Sequence, residues 1–191
     1  MSTAVNAAAA STTSDHCVEL DRGTGLCCTV HLLADVANTP EIRRKIVTGE
    51  FRCCAVKASL VIDALQVVVA ANKAALNAKQ NRLTTRTVYT EVLFSLSPSK
   101  NISRSLTDFG IGDSDRNVLL IFLHKPDEQQ AMSEVLAGVG GEKMPVSSIR
   151  DFADANLVRK TYKIDQDELR VSNLTDAVVS RISCKELMLM K

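Results

Sequence analysis

The chain lacks any hydrophobic run long enough to cross a membrane. Its longest apolar stretches, such as VLLIFL at 118 to 123, fall far short of the ~20 residues that a spanning helix needs. It also lacks a G-x-S-x-G elbow, an H-E-x-x-H pair and a Walker phosphate loop, and His16, His31 and His124 stand outside any such frame. The motifs that announce a nucleophile, a zinc hydrolase or a nucleotide site are therefore missing, and an enzyme is not expected. The nearest approach to a phosphate loop is GVGGEK at 138 to 143; it follows a helix instead of opening one, and reads as a helix-ending turn. Six cysteines are present as Cys17, Cys27 with Cys28, Cys53 with Cys54, and Cys184, without a C-x-x-C. Neighbours on a strand point to opposite faces and cannot converge on zinc, so no metal or cofactor is expected. With no signal-peptide pattern, the thiols read as small core hydrophobes in a reducing compartment.

Net charge is also nearly absent, at +1, but its distribution is uneven: residues 1 to 107 carry +4 and residues 108 to 191 carry −3. From Ala64 to Thr90 the cations Lys73, Lys79, Arg82 and Arg86 meet no acid at all. Such a tract either attracts phosphates or lines a solvated helix face.

What the chain does contain is enough apolar material, 46% of 191 residues, for one sizeable core and hence a single soluble domain. Residues 1 to 15, MSTAVNAAAASTTSD, are too weakly hydrophobic to repay ordering and read as a tail. CVEL and LCCTVHLL flank DRGTG and predict a β-hairpin. In NTPEIRRKIVTGE, Thr39 is predicted to cap a short helix with Pro40 at its start and Gly49 at its stop. ASLVID is predicted as a strand, after which Asp63 caps a helix through ALQVVVAANKAALNAKQ. TVYTEVLFSL alternates, with Val88, Val92, Phe94 and Leu96 on one face, and predicts a half-buried strand in which Glu91 pairs with Arg86 or Lys73.

Downstream, Ser99 or Asn101 is placed to cap a helix with an Ile102, Leu106, Phe109 stripe and a Schellman-like end at Gly110. NVLLIFLH is predicted as a strand buried on both faces, DEQQAMSEVLAGV as a helix ended by Gly140 and Gly141, and VSSIRDFADANLVRKTYKI as short helical turns capped by Ser147 and by Asp154 or Asn156. A final helix from Asp165 to about Glu186 carries Val171, Leu174, Val178 and Ile182 at helical spacing, widened by Ala177, Val179 and Leu187. That stripe either docks on its own core or presents a partner surface.

Residues 66 to 111, QVVVAANKAALNAKQNRLTTRTVYTEVLFSLSPSKNISRSLTDFGI, resemble the signature region of the TPRKB family, the small subunit that binds the PRPK-type kinase in the KEOPS (EKC) complex. VAANKA, TRT, TE, F-x-LSP, NIS and FGI occur in family order and spacing, and RRK at 43 to 45, VRKTYK at 158 to 163 and DAVVSRIS-K agree more loosely. The resemblance covers roughly residues 17 to 188. It departs from the family in the alanine-rich tail, the Cys-Cys pairs and LNAKQNR.

The resemblance implies an α+β domain over residues 16 to 191, with a mainly antiparallel or mixed sheet flanked by helices. It implies a noncatalytic subunit without cofactor in the cytoplasm and nucleus. Its partners would be the PRPK-type kinase and, through it, the threonylcarbamoyl-transferase subunit, together with tRNA gripped at its single-stranded 3′ end. The modification is N6-threonylcarbamoyladenosine beside the anticodon. On that footing Lys73, Lys79, Arg82 and Arg86 would meet phosphates, and Asn72, Thr87, Ser97 and Asn101 would meet 2′-hydroxyls or base edges. Leu174, Ala177, Val178, Arg181 and Ile182 would meet the kinase. For Asn101 a plain helix cap competes with RNA contact, for Asn72 a buried backbone hydrogen bond competes equally, and of the only two aromatics near enough to stack on a base, Tyr89 and Phe94, Phe94 reads as core. A kinase adaptor with no direct RNA contact is the alternative.

Overall fold

The computed structural model describes residues 16–126, 128 and 130–188; the expected tail, 1 to 15, lies outside them. The two apolar runs around DRGTG pair as a hairpin of β1 (His16–Glu19) and β2 (Cys27–Ala34), with Cys17 opposite Thr29 and Glu19 opposite Cys27. Gly25, at φ +66°, supplies the left-handed residue of the connection. Helix α1 (Thr39–Val47) follows, then strand β3 (Cys54–Lys57), a 3-10 turn (Ala58–Leu60), α2 (Ala64–Lys79), α3 (Val88–Leu96) and α4 (Ile102–Phe109). The chain continues through β4 (Val118–His124), α5 (Gln130–Ala137), β5 (Glu142–Met144), α6 (Ile149–Phe152) and α7 (Ala155–Tyr162). It closes with α8 (Glu168–Val171), α9 (Leu174–Ser183) and α10 (Lys185–Met188).

All strand pairs are antiparallel, in the order β1-β2-β4-β3, with β5 pairing the far end of the β2 edge that β1 occupies. Because side chains alternate along a strand, Cys28, Val30, Leu32, Cys54, Val56, Leu119 and Ile121 share one face and pack against α2, α3, α7 and α9. Leu33, Ala55, Leu120 and Phe122 share the other and pack on Ile42 of α1 and Val135 of α5. The fold is thus α+β: an open antiparallel sheet with helices on both faces, the larger helical layer on one side.

Five local expectations are corrected. The stretch after Thr87 is helix α3, not a strand: Thr87 Oγ1 accepts from Thr90 N–H (3.1 Å) while Thr90 Oγ1 accepts from Thr87 N–H (3.1 Å), a reciprocal cap that starts a helix. Val88, Val92 and Leu96 recur every four residues, a spacing that fits a strand face and a helix stripe equally. The strand expected at 58 to 63 ends earlier, at Lys57; Ala58 N–H bonds Asn117 O (3.1 Å) and the chain leaves the sheet through the 3-10 turn.

The single final helix is broken at Ser172, because Asn173 Oδ1 takes Asp176 N–H (2.9 Å) and starts α9 anew. Gly110 is extended at φ −67°, ψ 152°, so α4 has no Schellman ending; glycine is needed there because a Cβ would meet Leu106 O at 2.5 Å. Thr39 is the first residue of α1, not its cap, and its hydroxyl donates to Asp115 O (2.6 Å). The glycines after α5 lie against α1, where Asn38 Nδ2 donates to Gly138 O (2.9 Å) and Asn38 Oδ1 accepts from Gly140 N–H (2.9 Å).

A candidate basic loop at the α2–α3 joint

Asp63 accepts from Leu65 N–H (3.0 Å) and starts α2, which buries Gln66, Val67, Ala70, Ala71, Ala74 and Ala75. The helix ends in a Schellman motif built on asparagine: Asn81 takes φ +53°, its N–H bonds Ala78 O (3.1 Å), and Arg82 N–H reaches back to Asn77 O (2.8 Å). Six residues later Thr87 caps α3, so only residues 83 to 86 separate two fixed helix ends.

That short span is tied down by Glu91. Its side chain is 1% exposed, yet no cation pairs with it among the described residues, which corrects the expected pairing with Arg86 or Lys73. Glu91 Oε2 accepts from Thr85 N–H (2.8 Å) and Thr85 Oγ1–H (2.8 Å), and Oε1 accepts from Asn77 Nδ2–H (3.2 Å). Thr90 Oγ1 lies 3.0 Å from Thr85 Oγ1 and completes a hydroxyl cluster. Arg82 and Arg86 are both exposed at this joint, with no side-chain partner among the described residues.

The other six residues expected to face RNA have partners inside the protein. Asn72 Oδ1 accepts from Asp21 N–H (2.8 Å), anchoring the hairpin on α2. Lys73 Nζ donates to Ile182 O (2.5 Å) and Ser183 O (3.3 Å), carbonyls at the end of α9, and pairs with Glu186 at 2.6 Å. Lys79 Nζ donates to Gly23 O in the β1–β2 turn. Thr87 caps α3, and Ser97, 1% exposed, accepts from Ser99 N–H (3.1 Å). Asn101 caps α4 by accepting from Arg104 N–H (2.9 Å). Asn72 and Lys73 also line an open groove of about 430 Å³ with Glu19, Asp21, Val68 and Val69.

On the C-terminal stripe, Ala177, Val178 and Ile182 are at most 3% exposed and belong to the main core, and Leu174 packs on it half-buried. Packing against α2 and α7 uses the apolar face that a partner would need, so these side chains are not a free surface. Arg181 makes a two-pronged pair with Glu168 (2.6 and 2.7 Å) and also bonds Ala177 O and Lys163 O. The guanidinium holds the Glu168 carboxyl below its ordinary range, and the carboxylate raises Arg181. Exposed apolar atoms remain on either side of α9, at Val171 (89%) and Leu187 (68%).

Lys185, which the sequence offers only as the last residue of DAVVSRIS-K and in no catalytic motif, has a structural place. It is 2% exposed, its Nζ sits 3.3 Å over the Phe94 ring and donates to Phe94 O, and burial pushes its pKa down to about 8. The signal was there: Val178, Ile182 and Lys185 continue one buried helical stripe. Among the described residues no group of three His, Cys, Asp or Glu could hold a metal ion, and no helix is long and apolar enough to cross a membrane.

Residues 33–186 match the family model described as "Kinase binding protein CGI-121". The chain is 36% identical over 156 residues to the zebrafish (Danio rerio) protein named "EKC/KEOPS complex subunit TPRKB", covering 82% of this chain and 89% of that one. It is 33% identical over 137 residues to the Kluyveromyces lactis "EKC/KEOPS complex subunit CGI121", covering 71% and 85%. To the Aspergillus fumigatus protein of the same designation it is 29% identical over 142 residues, covering 71% and 75%. The chain belongs to the CGI-121 family of kinase-binding proteins.

Proposed function

We propose that this chain is the noncatalytic subunit of a KEOPS/EKC-type assembly, and that it binds the PRPK-type kinase and holds tRNA by its single-stranded 3′ end. The assembly, through the kinase and the threonylcarbamoyl-transferase subunit, then modifies the adenosine next to the anticodon. Cytoplasm and nucleus, where tRNA is processed, are the expected compartments. Family membership supports the kinase contact and the assembly. The RNA contact is supported by one observation: Arg82 and Arg86, two exposed guanidinium groups without side-chain partners among the described residues, project from a loop held at both ends.

The electrostatic footprint is smaller than composition suggests, because Lys73 and Lys79 already serve backbone carbonyls. Two phosphate contacts give a dependence of log K on log salt of about −1.4 for a single strand. The kinase contact is assigned to the α8–α10 surface around Val171 and Leu187, since the core takes Ala177, Val178 and Ile182.

The test is binding of the purified chain to tRNA with an intact and with a trimmed 3′ end, beside co-purification with the kinase. Arg86→Glu is expected to weaken tRNA binding and spare the kinase; Leu187→Asp is expected to do the reverse. The internal bonds of Lys73 and Lys79 favour one second reading, a kinase adaptor that touches no RNA. Under it, intact and trimmed tRNA bind equally weakly and Arg86→Glu changes nothing.

A further inference from the structure

We infer that Glu91 is a positioning residue for the RNA-gripping loop: its buried carboxylate holds residues 83 to 86 so that Arg82 and Arg86 face a strand of phosphates together. The inference rests on the RNA reading above and adds the part of the protein that makes two exposed arginines act as one site.

A carboxylate at 1% exposure is costly, and a cation usually accompanies it. Among the described residues Glu91 has only neutral hydrogen-bond donors, Thr85 N–H and Oγ1–H on one oxygen and Asn77 Nδ2–H on the other, while the buried Lys185 feels its charge without bonding to it. Packing alone would be served at least as well by an apolar side chain of similar length. What a carboxylate adds is acceptor-only oxygens able to take three donors at once.

Those donors bracket the arginines. Asn77 meets Glu91 through its side chain and, through its carbonyl, fixes Arg82 N–H in the Schellman turn (2.8 Å). Thr85, one residue before Arg86, is held by both its N–H and its hydroxyl. The Thr85 hydroxyl has a single proton; the 2.8 Å contact to Glu91 takes it, and the hydroxyl oxygen is left to accept from Thr90 Oγ1 (3.0 Å), whose one proton is shared with Thr87 O (2.9 Å). Thr90 also forms the α3 cap with Thr87, so one connected set of bonds runs from the end of α2, through Glu91, to the start of α3. Holding flexible side chains' backbone in place before binding is how a site of few contacts gains affinity.

The test uses the full chain and tRNA with an intact 3′ end, with four variants: Glu91→Met, Glu91→Gln, Thr85→Val and Arg86→Gln. Glu91→Met keeps the stem and removes every acceptor. It is expected to weaken tRNA binding about tenfold and to make the salt dependence shallower by roughly 0.7 per arginine disengaged. Glu91→Gln is expected to restore most of the affinity, since its amide oxygen can take both Thr85 donors while Asn77 turns its amide to accept. In Glu91→Met, adding Arg86→Gln is expected to cost less than it does in the wild type, because the guanidinium is no longer held in place. A merely structural role would leave that difference at zero. Thr85→Val stands in if Glu91→Met does not fold, with a smaller loss in the same direction.

Wild-type binding with unchanged affinity and salt slope in Glu91→Met and Thr85→Val overturns the Glu91 role and leaves the RNA reading standing. Absence of wild-type binding overturns the RNA reading and this inference with it.

Discussion

Lys185 offers a quantitative check on the packing of the C-terminal helices. Its ammonium lies over the Phe94 ring and donates to Phe94 O. Burial is the main cause of its lowered pKa, Lys73 lowers it further, and Glu186 and Glu91 oppose the shift. The amine titrates near pH 8 in the folded chain against 10.5 in an exposed lysine. Between those values the unfolded chain binds more protons, so stability rises with pH across that window; below pH 8 the charged, buried amine weakens the fold. The full difference corresponds to about 3 kcal/mol, reduced to about 1–2 kcal/mol by solvent screening near the last helix. Buried thiols act oppositely. Cys28 and Cys53 are pushed up to about 12 by burial, so their contribution is present below pH 9 and lost as pH rises toward 12. A comparison with Lys185→Met cancels them. Urea unfolding of both chains at pH 7 and pH 9.5 should show the methionine chain as stable or about 1 kcal/mol more stable at pH 7. The wild type should gain on it by about 1 kcal/mol at pH 9.5. A gap that does not move with pH would refute the buried, charged position of the amine.

Tyr162→Phe leaves Leu96 O without its 2.6 Å donor and removes a partner of Gln66, at 2% exposure; a loss of about 1–2 kcal/mol in urea unfolding is expected. Asn101→Ala removes the α4 cap and should cost about 1 kcal/mol while tRNA affinity stays constant, which separates capping from RNA contact. Ile182→Ala, at a core position 1% exposed, should cost about 3 kcal/mol and reduce kinase co-purification only as far as folded protein is lost. Lys73→Met frees the carbonyls at the end of α9 and Glu186; amide exchange across 183 to 188 should quicken, and the salt slope of tRNA binding should not change.

Much of the framework is legible where a signal is local. The hairpin around DRGTG, the Asp63 cap of α2, the buried strand 118–124 and the Asp154 cap of α7 rest on residues close in sequence. Helix α3 is not legible by pattern, because its four-residue recurrence of Val88, Val92 and Leu96 satisfies two periods and its many β-branched residues favour the wrong one. Ser172 and Asn173 break the last helix by a side-chain bond that hydrophobic spacing does not register. At the joint, the basic composition of 64 to 90 is plain in the sequence, but which cations remain free is not. Lys73 meets carbonyls more than a hundred positions away, and the acid that matters, Glu91, meets two neutral residues instead of a cation.

The division between lysines and arginines in that tract has a physical cause. A helix C-terminus ends in unpaired carbonyls at the negative end of the helix dipole, and a lysine on a neighbouring element is a compact, flexible donor well suited to them. Lys73 serves the end of α9, Lys185 the end of α3 and Lys57 the last turn of α4 at Thr107 O. Lys79 does the same for the Gly23 carbonyl of the hairpin turn. Each becomes a clasp between elements distant in sequence; Lys185 is buried and Lys57 and Lys73 are half-buried, while Lys79 stays exposed. Arg82 and Arg86 follow a helix whose end is turned back by the Asn81 motif, which pairs Leu76 O, Asn77 O and Ala78 O, and precede one opened by Thr87; neither guanidinium is drawn onto a carbonyl among the described residues. The caps that terminate α2 and start α3 therefore do two things at once: they pair part of the backbone at both helix ends, and they leave the two guanidinium groups between them available to an external anion.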